Sequence, residues 1–168
     1  MIDQGPERQE SHPILLYDGV CGLCNRMVQF VLRRDEGGRF RFAALQSGLA
    51  AQILARHGAR ADDLDTMYVV LNYEMPEERL VARSDAIIFV LRELGGGCCT
   101  AGQPEAAVPT RATREFRFWH TIGFFLQLVP RAIRDWGYRL VAGSRYRVFG
   151  RHDNCPLPSA ETRGRFLD

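Results

Sequence analysis

Two cysteines three residues apart, Cys21 and Cys24, sit in the stretch Tyr17-Asp18-Gly19-Val20-Cys21-Gly22-Leu23-Cys24-Asn25. Residues at this spacing share one face of a helix, so the pair can close a small disulfide ring. The chemistry this implies is that of a dithiol. Before it, Ile14-Leu15-Leu16-Tyr17 reads as a short apolar strand; after it, Leu23, Met27, Val28, Val31 and Leu32 recur at helical spacing. The cysteines are therefore expected at an exposed helix N-terminus, where unpaired N–H groups and the positive end of the helix dipole favour an anion. Thiolates in such settings commonly titrate below the free-thiol value of about 8.5. Cys21 is expected as the nucleophile, and Cys24, one turn deeper, as the resolving thiol that attacks a mixed disulfide.

Asp18, three residues before Cys21, has two readings. It can accept the proton released as Cys24 becomes nucleophilic, or it can cap the turn by accepting N–H groups around Gly19 to Cys21. The CxxC spacing also serves zinc, which needs about four ligands. Completion would fall to Cys155 with His152 or Asp153, so a site of Cys21, Cys24, Cys155 and His152 is the alternative to redox chemistry. Cys155 is separately a candidate auxiliary thiol or a packing residue, and Cys98 and Cys99 read as incidental cysteines of a glycine-rich loop.

The elements that position the pair follow from pattern. The first helix stops at Asp35-Glu36-Gly37-Gly38. A strand over Arg39 to Ala44 alternates, with Phe40, Phe42 and Ala44 on one face. Ser47 caps a second helix that Gly58 ends. Met67 to Leu71 and Arg79 to Arg83 form an antiparallel hairpin around Asn72 and Pro76. Ser84 caps a third helix, Asp85 to Leu94, stopped by Gly95-Gly96-Gly97. The order is βαβαββα, which predicts a four-stranded mixed sheet.

Composition sets wider bounds. A chain of 168 residues with 46% hydrophobic and 25% charged residues suits one soluble domain. A net charge of +2 offers no general attraction for nucleic acid. All 22 basic residues are arginine, which leaves no lysine for Schiff-base chemistry. Residues 1–12 read as a polar, disordered tail without a secretory h-region, and five cysteines in such a chain suit a reducing compartment, the cytoplasm by default. No phosphate loop, dinucleotide fingerprint, HExxH or GxSxG is present, so no cofactor is expected. Reducing equivalents would come from an external thiol reductant.

The later part of the chain is rich in arginine and aromatics. Pro130 separates a helix of about Arg111 to Val129 from one of about Arg131 to Ser144, whose Ile133, Trp136 and Leu140 are expected to face inward. The favoured reading packs the aromatics on the sheet with arginines in water; a weak contact with an anionic surface is the alternative. The most apolar run, Phe118 to Val129, is too short to span a membrane.

The order βαβαββα with CxxC after the first strand resembles the thioredoxin-like fold. More closely, Asp18, Gly19, Cys21 and Cys24 in a DGxCxxC setting resemble the DCC family of predicted thiol-disulfide oxidoreductases. Arg145-Tyr146-Arg147-Val148-Phe149-Gly150 and Asp153-Asn154-Cys155-Pro156-Leu157-Pro158 are similar to that family's C-terminal segment. The resemblance implies a protein-disulfide reductase acting on a disulfide-containing protein or a small thiol or disulfide. One departure stands out: thioredoxin and glutaredoxin carry a cis-proline before the third strand, where this chain has Leu64-Asp65-Thr66-Met67. The expected organisation is a tail over 1–12, a core over 13–97, a linker over 98–110 and a helical extension over 111–168.

Overall fold

A computed structural model describes residues 12–35, 37–59, 66–95, 111–151 and 162–167. The central strand β1 (Ile14–Tyr17) is buried throughout. Helix α1 (Gly22–Arg34) leads to β2 (Arg41–Ala44), which pairs in parallel with β1, Ile14 opposite Arg41 and Tyr17 opposite Ala44. Helix α2 (Gly48–Arg56) starts as expected: the Ser47 hydroxyl accepts the Ala50 N–H at 3.1 Å. It ends before Gly58, whose φ of +64° is left-handed and suits glycine. The hairpin of β3 (Tyr68–Leu71) and β4 (Arg79–Ala82) is antiparallel, and β3 also lies antiparallel to β1.

The sheet has five strands rather than four, in the order β4-β3-β1-β2-β5. The fifth, β5 (Phe166–Leu167), pairs in parallel with β2 after a short 3-10 turn over Arg163–Arg165. It is held by charge. Arg165 bonds the buried carboxylate of Asp35, whose oxygens also accept the N–H groups of Arg39 and Phe40, and Arg165 Nε reaches the Phe40 carbonyl at 3.2 Å. Phe42 and Phe166 stack with centroids 5.2 Å apart.

Alternation along the strands divides the core between two faces. Leu15, Tyr17, Phe42 and Val69 meet Val28 and Val31 of α1 and, from α3 (Arg83–Gly95), Ala86, Val90 and Leu94. Ile14, Leu16, Ala43 and Val70 meet Ala50, Ile53 and Leu54 of α2 on the other face. Ser84 does not cap α3. The helix begins at Arg83, and the Ser84 hydroxyl donates to Asp135 instead.

Two further helices, α4 (Arg111–Leu128) and α5 (Arg131–Phe149), join around Pro130, which is the residue before α5. Trp119 meets Phe30 of α1 edge-on at 4.9 Å. A β-carbon on Gly123 would lie 3.0 Å from Arg92 Cγ, a mark of the close approach of α4 to α3. The expected inward face of α5 is reversed. Ile133, Trp136 and Leu140 are 59%, 63% and 63% exposed, and Phe118, Phe124 and Phe125 of α4 are also exposed. Polar anchors turn α5 the other way: Arg134 pairs with Asp85 at 3.0 Å, the Tyr138 hydroxyl accepts the Met67 N–H at 2.8 Å, and Arg145 is buried. Buried polar groups must be partnered, and on α5 that requirement overrides the apolar stripe.

The end of α5 crosses the start of α1. Gly22 N–H donates to the Gly150 carbonyl at 3.2 Å, and a β-carbon on Gly22 would lie 2.2 Å from the Phe149 carbonyl oxygen. Gly22→Ala is therefore expected to destabilise the fold by about 1–3 kcal/mol, measured as a lower urea midpoint at unchanged slope. A midpoint equal to the parent's would mean that this contact gives way freely.

Candidate active site

Cys21 is the residue preceding α1 and carries extended backbone angles. Its sulfur accepts the Cys24 N–H at 3.4 Å, in place of the oxygen that usually caps a helix. Cys24 lies one turn in, and both are free thiols in mutual hydrogen-bond contact. The expected exposures are exchanged. Cys21 is 0% exposed, because Gly150 and Arg151 run across it, Arg151 forming an isolated bridge with Cys21. Cys24 is only partly buried and lies on the wall of a cavity of about 280 Å³. Its thiol is pushed up to about 12, first by burial and then by the hydrogen bond and charge of Cys21. Arg145 and the main-chain N–H of Asp18 oppose that shift.

Asp18 follows β1 directly and is wholly buried. One carboxylate oxygen accepts Gln46 Nε2 at 2.8 Å and the Val20 N–H at 3.2 Å; the other accepts the Tyr146 hydroxyl and, at 3.2 Å, Arg145. Four donors thus occupy it, the Val20 bond being of the turn-capping kind. Gln46 also accepts the Gly19 N–H at 3.2 Å, and Asn25 Nδ2 donates to the Gly19 carbonyl at 2.9 Å. The turn carrying the dithiol is therefore fixed from three directions.

Arg145 and Asp18 have side chains only 3% and 0% exposed. Burial works against the Arg145 charge, but the hydrogen bond to Tyr146 and the nearby phenol and thiols more than offset it, and its pKa rises. Tyr146 is raised by burial and by its hydrogen bond to Asp18, so it remains a phenol and donates. These two residues, with Gln46, complete the site. Both lie in the C-terminal segment singled out above, but one arginine among many carries no signal of a partner 127 positions away.

Cys155, His152 and Asp153, the further ligands of the metal alternative, lie outside the described residues, as do Cys98 and Cys99. Among the described residues no group of three or more His, Cys, Asp or Glu is placed to hold a metal ion, and no helix is long and apolar enough to cross a membrane.

The family model described as DCC1-like thiol-disulfide oxidoreductase matches residues 15–101, from within β1 through the cysteine pair to beyond α3. The chain belongs to the DCC1-like family. It is similar to a chloroplastic DCC family protein of Arabidopsis thaliana, 34% identical over 149 residues that cover 89% of this chain and 72% of that protein. It is also similar to the uncharacterized protein YuxK of Bacillus subtilis, 32% identical over 154 residues that cover 92% and 93%. No solved structure matches the chain. The DCC1-like match ends before α4, so Arg145 and Tyr146, which reach back to Asp18, come from outside the matched span.

The geometry leads to two expected outcomes. Arg145→Met strands a buried carboxylate and should cost about 3–5 kcal/mol, while the double variant with Asp18→Asn should lose less than the sum of the two single variants; urea unfolding of all four proteins measures this, and strict additivity would show the pair to be uncoupled. For the reduced protein, alkylation of Cys24 should climb about tenfold per pH unit from pH 8 towards 11, because the protonated thiol predominates at every pH below about 12. A plateau near the ordinary free-thiol value of about 8.5 would contradict this.

Proposed function

We propose that the protein is a thioredoxin-like disulfide reductase whose working group is the Cys21–Cys24 dithiol. The observation that carries this reading is the placement of both free thiols at the start of α1, the Cys24 N–H donating to the Cys21 sulfur. The family assignment supports the reaction class. The strand order β4-β3-β1-β2, with β1 and β2 parallel and the β3–β4 hairpin antiparallel, supports the thioredoxin-like architecture, to which β5, α4 and α5 are additions.

Roles divide by charge and by access. Cys21 is the nucleophile, because a helix N–H points at its sulfur while Cys24 holds its proton. The far side of Cys21 is closed by Gly150 and Arg151, so a substrate disulfide approaches from the cavity, past the Cys24 side chain, which turns about a single χ1 bond. The Cys21 thiolate attacks one substrate sulfur, the substrate S–S bond breaks, and the departing thiolate takes up a proton. Cys24, on losing its proton, attacks the Cys21 sulfur and releases the second substrate thiol. Two electrons pass to the substrate, and the enzyme is left as the Cys21–Cys24 disulfide until an external dithiol reduces it. Asp18 acts here by holding Arg145 beside both thiols. A reducing compartment such as the cytoplasm suits this cycle.

Cys21→Ser should abolish turnover of a disulfide substrate, whereas Cys24→Ser should accumulate a mixed disulfide on Cys21 that intact-mass spectrometry detects and a reductant removes. Failure of Cys24→Ser to hold any disulfide substrate would count against the assignment.

A further inference from the structure

The cavity beside Cys24 has features that the exchange chemistry alone does not require. Its walls are formed by Leu23 and Met27 of α1, Met67 before β3, Ile87 of α3, and Val141 and Ala142 of α5. The polar groups that reach it are already engaged within the fold. Arg145 is paired with Asp18, Arg134 with Asp85 and the Val129 carbonyl, and Ser84 with Asp135. Among the described residues, every charged side chain on the wall already faces an opposite charge, and burying a ligand's carboxylate or ammonium group unpaired is costly.

At Met67 the main chain is equally closed to a peptide. Pairing an extended peptide with the protein requires free N–H and C=O groups on the receiving segment. On the cavity wall with Cys24 this is tested at Met67, whose N–H is bonded to the Tyr138 hydroxyl at 2.8 Å and whose carbonyl accepts the Arg83 N–H at 3.0 Å. A volume of about 280 Å³ lies at the small end of the range for ligand pockets. Over Gly137 it is open, since a β-carbon built there meets nothing within 4 Å.

From these walls we infer that the cavity is the substrate pocket of the dithiol and that it takes the uncharged aliphatic or arylalkyl arm of a small, non-peptide disulfide. The inference rests on the reductase reading above and adds the substrate class. Among the described residues, polar disulfides that carry several charges find no opposite charge free in this pocket, and a polypeptide finds the Met67 main chain already bonded.

The test uses the reduced full-length protein and mixed disulfides that share one pyridyl leaving group and differ in the other arm: methyl, propyl, hexyl, carboxyethyl, trimethylammonioethyl and a short cysteine peptide. In each reaction Cys21 takes the arm-bearing sulfur, the S–S bond breaks and pyridinethione leaves with the bonding electrons. Its absorbance gives the rate, which is divided by that of the same reagent with a free cysteine derivative. Each CH₂ taken out of water contributes about fourfold, so the hexyl reagent should outrun the methyl reagent by at least about 30-fold, with the charged and peptide reagents no faster than methyl. Gly137→Leu fills the open wall and replaces a helical glycine with a stronger helix former. It should cut the hexyl-to-methyl ratio at least tenfold, as should Ala142→Leu. Trp136→Ala, on the outer side of α5, should keep the ratio.

A flat alkyl series in the parent protein overturns the inference, as does a hexyl preference that survives both filling variants, or a peptide reagent that reacts fastest. Should every reagent, methyl included, react no faster than with the free cysteine derivative, the reductase reading itself falls and takes this one with it. That outcome is distinct from a reactive but unselective dithiol.

Discussion

The ion pair between Asp18 and Arg145 is the constraint on which the cysteine-bearing end of the molecule depends. Each charge alone would be prohibitively expensive in a place that water does not reach. Together, with Tyr146 and Gln46 bonding the remaining carboxylate positions, they form a network that exists only when α5 lies against the end of β1. Breaking one member leaves the others buried and unpaired, so the network fixes an arrangement more firmly than it adds net stability. Because Asp18 begins the turn that leads to Cys21, and Arg145 influences both thiols, the position of α5 and the electrostatics of the dithiol are set by the same bonds.

Helix α5 unites features that would otherwise look separate. Arg134 and Tyr138 attach it to α3 and to the segment before β3; Arg145 and Tyr146 attach it to the turn before α1; and Gly150 and Arg151, just past its end, close over Cys21. The apolar cavity is the space left between these attachments. Its inner line is thus partly charged and its outer line largely apolar, the opposite of an ordinary surface helix.

Local rules made much of this legible in the sequence. The central strand, the helix that begins at the cysteines, the Ser47 cap, the glycine after α2 and the β3–β4 hairpin each depend on residues within a few positions of one another. What was not legible depends on distance along the chain. Phe166 and Leu167 are too few to show a strand period, and they become one only because Arg165 finds Asp35, 130 positions earlier. The stripe of Ile133, Trp136 and Leu140 has the spacing of a core face, and nothing nearby reveals that Asp18, Asp85 and the Met67 amide need partners more. Cys21 reads as exposed from its place at a helix start, and it is covered by a segment that arrives about 130 residues later. Asp18 and the cysteine pair were found because their spacing is local; Arg145, Tyr146 and Gln46 were missed because their roles exist only after folding.

The outward apolar residues of α4 and α5 also affect the thermodynamic size of the protein. Denaturant slopes and the heat capacity of unfolding scale with the apolar surface that unfolding newly uncovers. Phe118, Phe124, Phe125, Leu128, Ile133, Trp136 and Leu140 already meet water in the native state, so they add little to either quantity. By these measures the molecule behaves as a smaller one, and its stability curve is flatter with temperature than 168 residues would suggest.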